Sequence, residues 1–429
     1  MHTATNHSNT NTNNTLKTKA TLYPWIIVLM SALFLFFKFI IQVSPSVMTT
    51  PLMQHFAMNA TELGNLAACY FITYLLIQFF SGPLLDRYSA RLWSSMALLV
   101  MSISVAGFSY SNTLWQAYLW RMGMGMGAAF ATVSYLKLSA MYFSAKDYPF
   151  VAGLLATAAS IGAMLGQTPL AYGVSHYSWQ ETLRYCALLG FIIAVCYFLL
   201  VRDKKTPLKE TPTQEKTPGF ATLLKCKKLW LLTFYSGFAW SPLAVFGGLW
   251  GDPFLQQAYH ISNTQAASLV SLAFLGLAVG GPVFGLIASK TKQTTRCMAA
   301  GLILSFLSLW YILYGPSDPI LLLALSLFIF GLGTGAFMLG FSIGTGWFCT
   351  GLAATVIAII NTGDAFFGAI SEPIVGRLLD LFWHGKTHHG AHIFQTSSYQ
   401  HAMAILPFYL LIAFVLLWRI NHHWKQKNI

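Results

Sequence analysis

Apolar positions in this chain come in long unbroken runs. Twelve can be laid out, at about 23–47, 64–85, 92–110, 113–136, 149–173, 181–201, 229–251, 266–288, 297–315, 319–346, 352–379 and 399–419. Each is close to the ~20 residues that a helix needs to cross a bilayer. Strict alternation, the mark of a half-buried strand, is absent from them. Inside lipid every backbone N–H and C=O must be bonded within the segment, so continuous runs predict helices. The first run follows a polar stretch, "HTATNHSNTNTNNTLKTKAT", that reads as a disordered tail, and it is too long for a cleaved signal peptide.

Between the sixth and seventh runs lies "RDKKTPLKETPTQEKTPGF", the one long polar stretch inside the chain. It reads as a flexible linker. Two short polar segments, "SGPLLDRYSARLW" (81–93) and "FGLIASKTKQTTR" (284–296), each follow the second run of their half, which points to an internal repeat of six spans. The expected fold class is therefore an all-α membrane protein, with twelve transmembrane helices in two pseudo-symmetric six-helix bundles. The expected organisation is a tail at 1–22, a bundle at 23–201, a linker at 202–228, a bundle at 229–419 and a tail at 420–429.

Composition agrees: 56% of residues are hydrophobic and 9% charged, where a soluble domain carries about a quarter charged. The net charge of +13 would suggest nucleic acid if it were spread over a surface. It is not. With the N-terminus inside, the segments on the cytoplasmic side hold 20 of the 25 Lys and Arg and five of the 12 acids. That bias sets orientation, with both termini cytoplasmic in an inner membrane, and leaves nucleic-acid binding unsupported. The six cysteines are scattered, with no disulfide or metal spacing. No G-x-x-x-x-G-K-[ST] loop is present, so ATP drive is not expected. Trp25, Trp93, Trp115, Trp230, Trp347 and Trp418 fall near span ends and read as interfacial anchors.

Gly82-Pro-Leu-Leu-Asp86-Arg87-Tyr-Ser-Ala-Arg91 resembles the G-x-L-x-D-R-x-x-x-R signature of the major facilitator superfamily. Arg121, Gly125 and Gly127 match its R-x-x-x-G-x-G signature in helix 4. "QVSPSVMTTPLMQHF" and "NTGDAFFGAISEPIVGRLLD" are similar to a bacterial branch close to lysosomal dipeptide transporters and to amino-acid and nucleoside importers of intracellular bacteria. The second copy of the first motif departs from the pattern, with Ser289 in place of the acid, and Gln180 stands where such loops often read Trp-Arg. The resemblance implies alternating access, with Gly82, Asp86, Arg87 and Arg91 forming a cytoplasmic gate. On the residues alone, Gly82 would form the tight turn and Asp86 would sit at the start of the next helix, favoured by its dipole. Loop topology and charge bias are the plainer account of the same segment.

Ionisable residues within spans are costly unless they are paired or line water. Lys38 and Arg121 are candidates to attract a carboxylate on a substrate; hydrogen bonding to helix backbone is the alternative. Lys137 is expected to snorkel. Asp364 and Glu372 are candidate proton-coupling acids, because burial favours the neutral form of a carboxyl group; a salt bridge between halves is the other possibility, and Glu372 beside Pro373 suits a gate. Gln42, Tyr70, Tyr74, Gln78, Gln167, Tyr235, Trp240 and Asn361 complete the expected substrate site, each also able to serve as helix-packing glue. His384, His388, His389 and His392 form an outer loop, for which a plain solvated role competes with metal binding or pH sensing.

The function these residues predict is secondary active import of a small anionic or zwitterionic solute with protons. An amino acid, peptide, organic acid or polycarboxylate siderophore would fit. A proton-driven exporter of drugs or siderophore, an uncoupled uniporter and a transport-derived sensor are alternatives. Neither an enzyme nor a cofactor or metal is expected, and the protein should be monomeric.

Overall fold

The computed structural model describes residues 10–144, 147–203, 223–316, 319–347, 353–388 and 391–425. It is all-helical apart from a two-residue hairpin pairing Thr387–His388 with Ala391–His392. Among the described residues, ten helices are long and apolar enough to cross a membrane. In chain order they are α1 (Leu22–Phe56), α2 (from Ala60), α3 (Ala90–Ser109), α5 (Phe150–His176), α6 (Trp179–Leu200), α7 (Lys227–Tyr259), α8 (Asn263–Thr291), α9 (Thr294–Tyr314), α10 (Ile320–Gly346) and α12 (Thr396–Asn421). Two further helical stretches pack among them, α4 (Leu114–Ala128 continued by Ala131–Tyr142) and α11 (Ala353–Leu381). The first helix reaches back to Thr10, through residues whose composition suggested disorder. No Pro or Gly interrupts it before Pro24, so a helix nucleated in the apolar run can propagate outward.

The segment around Gly82 folds differently from the expectation. Gly82 and Asp86 both lie inside α2, which continues to Arg87, and the turn is made by Tyr88 and Ser89. Ser89 caps α3, accepting from the Leu92 N–H at 3.0 Å. The acid is thus in the last turn of one helix and not at the start of the next. The equivalent turn after α8 uses Lys292, at φ +58°.

Helix α10 carries a 3-10 segment at Gly335–Met338 and α4 is broken between Ala128 and Ala131, and three further helices are interrupted beside a proline. The α-helical part of α1 gives way to a 3-10 segment, Ser44–Met48, around Pro45. Helix α5 breaks at Gly166–Gln167, just before Pro169. Helix α7 carries a five-residue π segment, Phe246–Trp250, ahead of Pro253. Proline lacks the N–H that would bond the carbonyl four residues earlier, so each break frees acceptors that other elements must serve.

Contacts between the N-terminal half of the chain and the C-terminal half gather at one end. There Asp380 of α11 accepts from the Ala60 N–H (3.0 Å), the Thr61 N–H (2.8 Å) and the Thr61 hydroxyl (2.6 Å). A carboxylate on the N-terminus of α2 is favoured both by charge-assisted bonds and by the helix dipole. Asn263 donates to the Val47 carbonyl (2.8 Å), and Thr168 and Ser271 share a hydrogen bond (3.0 Å). The backbones of α2 and α11 touch here: a Cβ on Gly64 would meet the Glu372 carbonyl, and one on Gly376 would collide with that of Ala60. At the other end the Arg91 group stays within its own half. Its Nε donates to the Phe198 carbonyl and its guanidinium lies 4.1 Å from the Phe198 ring, while Ser89 and the Arg91 N–H bond Asp203. Arg87 is exposed, and the side chain of Asp86 lies outside the described residues.

Replacing Gly376 with Leu should force the α2–α11 crossing apart. The expected result is a longer distance between spin labels placed near Met58 and Trp383, measured by electron double resonance.

Candidate solute-binding cavity

A cavity of ≈ 190 Å³ lies between the two halves. Its walls come from α1, α2, α4 and α5 on one side and α7, α8, α10 and α11 on the other. Helices α3, α6, α9 and α12 contribute nothing to it.

Lys38 is the cation of this cavity. It is 5% exposed, and its ammonium faces the rings of Phe39 (4.2 Å) and Tyr74 (4.7 Å). No hydrogen-bond or ion-pair partner serves it among the described residues. Cation–π contact offsets part of the cost of burying a charge but leaves the N–H donors free. Tyr70 and Tyr74 stack at 6.4 Å beside it, and Gln42 lies one turn further along α1. The facing wall carries both acids. Asp364 accepts from Ser236 at 2.7 Å, whereas one oxygen of Glu372 has no donor. Asn361 and Trp240 line the same wall, with Trp240 packed on Phe337 at 5.3 Å. The cavity is otherwise apolar, so its polar groups stand out as points of specificity.

Arg121 lies behind the wall. It is 2% exposed, and its two Nη groups donate to the carbonyls of Ile41 (2.7 Å) and Gln42 (2.8 Å). Ile41 is four residues before Pro45, so its carbonyl is the one the break in α1 deprives of a donor. Tyr70 supports the guanidinium at 4.9 Å. The arrangement is the backbone-bonding alternative for Arg121. Gly125 and Gly127 explain the rest of that motif: a Cβ on either would collide with the carbonyls of Tyr70 or Ala97, so they let α4 nest against α2 and α3. Gln78 and Tyr235 also lie off the cavity, each with a buried oxygen lacking a partner. Lys137 donates to the Leu85 carbonyl near the end of α2. Gln167 sits in the seam between halves, donating to Ser46 (3.0 Å) and to the Gly247 carbonyl (2.7 Å).

Sequence reasoning missed two acids. Asp252 is completely buried beside Pro253, one residue past the expected end of its span. Asp380 lies one residue past the expected end of another. The signal available for the first was an acid directly before a proline in a run that stays apolar through Phe254 and Leu255. In the histidine loop, His392 stacks on Trp383 (3.7 Å) and approaches Asp380 at 3.4 Å, and His384 is exposed. The His388 side chain and His389 lie outside the described residues. No group of three metal-ligating side chains forms among the described residues.

A profile of the Major Facilitator Superfamily matches residues 25–371. The chain belongs to that superfamily. Among curated relatives, a hexuronate transporter of Bacillus subtilis is 26% identical over 250 residues, covering 55% of this chain and 58% of the relative. The human lysosomal dipeptide transporter MFSD1 is 22% identical over 305 residues, covering 66% of this chain and 65% of MFSD1. The chain spans about three fifths of the length of the curated relatives it matches. A crystal structure of a bacterial homologue of the human lysosomal transporter Spinster, inward-facing and unoccupied, superposes with a TM-score of 0.76 at 15% identity. It covers 93% of this chain and 97% of that one, and establishes the shared fold. Several of these relatives are named as transporters of small molecules.

Arg121→Ala should remove the guanidinium from the Ile41 and Gln42 carbonyls, of which Ile41 keeps the Ser44 hydroxyl at 2.9 Å, and lower unfolding stability by about 1–3 kcal/mol. Arg121→Lys, which can serve one carbonyl, should recover part of it. Thermal unfolding of the purified variants measures both.

Proposed function

We propose that the protein is a secondary active transporter that imports a small anionic or zwitterionic solute with protons, by alternating access. One observation carries the reading: a buried ammonium without a partner, Lys38, faces a cavity whose opposite wall holds Asp364 and Glu372. A carboxylate on the solute would satisfy Lys38 with charge-assisted bonds. The amino group of a zwitterion would fall to Asp364. The cavity's aromatic and aliphatic surface would take an apolar side chain. Hexuronates and dipeptides, carried by two relatives, both bear a carboxylate.

In this reading twelve helices form two six-helix bundles. The cavity is lined by the first, second, fourth and fifth helices of each half, as an internal repeat would give. The basic Arg91 end faces the cytoplasm of an inner membrane, by the charge bias, and both termini lie there. Bonds between the halves gather at the opposite, outer end, which supports an inward-facing state with the Arg91 group released from the other half. Asp364 and Glu372 are the proposed proton carriers. The protein is taken to act as a monomer.

In a thermal-shift screen, a carboxylate solute present at ~100 times its dissociation constant should stabilise the protein by about 2.7 kcal/mol. Lys38→Ala should erase the shift. If only cationic drugs shift the protein, the exporter becomes the better account. Asp364→Asn should abolish accumulation driven by a pH gradient in proteoliposomes while solute exchange persists; equal loss of both would place Asp364 in solute binding alone.

A further inference from the structure

The three helix interruptions beside prolines meet. Ser46 lies in the 3-10 segment of α1, Gln167 at the break in α5, and Asp252 two residues after the π segment of α7. All three side chains are at most 1% exposed. Ser46 and Gln167 are the polar side chains close enough to Asp252 to act on it electrostatically, but neither directs a well-formed hydrogen bond at its oxygens. No charged side chain pairs with it among the described residues.

The hydrogen-bond inventory of this cluster is short of donors. Both Asp252 oxygens lack a donor, and so does Oε1 of Gln167. The amide of Gln167 is fixed in orientation: its NH₂ group donates to Ser46 Oγ and to the Gly247 carbonyl. Ser46 has already spent its own proton on the Val43 carbonyl at 2.9 Å. Flipping the amide would therefore set its oxygen against two acceptors. Three oxygens sealed from water, with no donor left among the side chains around them, call for a positive charge.

We propose that Asp252, Gln167 and Ser46 form a binding site for one monovalent cation, a proton or Na⁺, in the seam between the two halves. Broken helices are the places where unwound backbone and side-chain oxygens can gather around an ion inside a membrane protein, and π segments recur at functional sites. The carboxylate comes from the C-terminal half and the two neutral groups from the N-terminal half. The site is complete only when this end of the molecule is closed. Opening the end separates Asp252 from Gln167 and admits water, so cation release is tied to opening. That consequence for coupling rests on the transport reading above; the binding itself does not.

The test uses the full-length protein in detergent, with Na⁺ or protons as the only ligands and choline as the control. If the cation is Na⁺, about 100 mM NaCl should raise the Tm by about 3 °C over choline chloride. Asp252→Asn should remove that rise and Gln167→Leu should reduce it. If the cation is a proton, Na⁺ has no specific effect. The Tm of the wild type then falls as pH rises from about 4 to about 7, because the unprotonated carboxylate is left buried without donors, and Asp252→Asn has a shallower pH slope over that range. Gln167→Leu then serves as the second variant, with an altered slope, should the Asn variant fail to fold. Equal responses of wild type and variants to both Na⁺ and pH would overturn the proposal. That failure would leave the Lys38 site untouched, since solute binding is read with organic ligands and the Lys38→Ala variant.

Discussion

A hydrocarbon environment supplies no water to a carbonyl that has lost its helical partner, and that constraint organises the centre of this protein. Prolines at 45, 169 and 253 each remove a donor from a helix. Other parts of the chain must repair the damage. Arg121 does so for α1, placing a permanent charge where its cost is offset by two backbone acceptors. In α7, Gln167 of the opposite half donates to the Gly247 carbonyl within the π segment. The breaks and their repairs shape one end of the cavity and join the halves there.

The repair also separates the roles of the two cations in the N-terminal half. Arg121 has its acceptors in α1 and is held in place by them. Among the described residues Lys38 has only ring faces for company, which supports its proposed role in holding a solute. Two positive charges at similar depth thus differ in chemistry because one was recruited by a helix break and the other was not. The guanidinium suits the first task, since its planar fork reaches two carbonyls together.

Closure of the Asp380 end combines two kinds of contact with different demands. Glycine-mediated backbone contact between α2 and α11 is short-ranged and requires the helices to be fully seated. The Asp380 cap is electrostatic and directional, and it holds the end of α2 by its free N–H groups. A joint of short-ranged and directional contacts can be made and broken repeatedly, as the proposed alternating access would demand.

The runs of apolar residues were enough to specify helices, because lipid leaves a continuous run no other way to satisfy its backbone. Local motifs likewise marked the superfamily, and charge in the connecting segments suggested an orientation. Lys38, Tyr74, Asn361, Asp364 and Glu372 could be picked out as intramembrane polar groups from their depth in a run, and they do line one cavity. What the sequence could not say was which way each polar group turns. Arg121 and Lys38 look alike in one dimension, and only the tertiary fold sets one beside a broken helix and the other beside open space. Asp252 and Asp380 were lost at the edges of runs, where hydropathy alone cannot separate a buried acid from one in a loop. Their roles arise from residues 85 to more than 300 positions away, a separation that no local pattern records. Sequence determined that the chain enters the membrane as helices; the packing of those helices decided which charges are structural and which are free to bind.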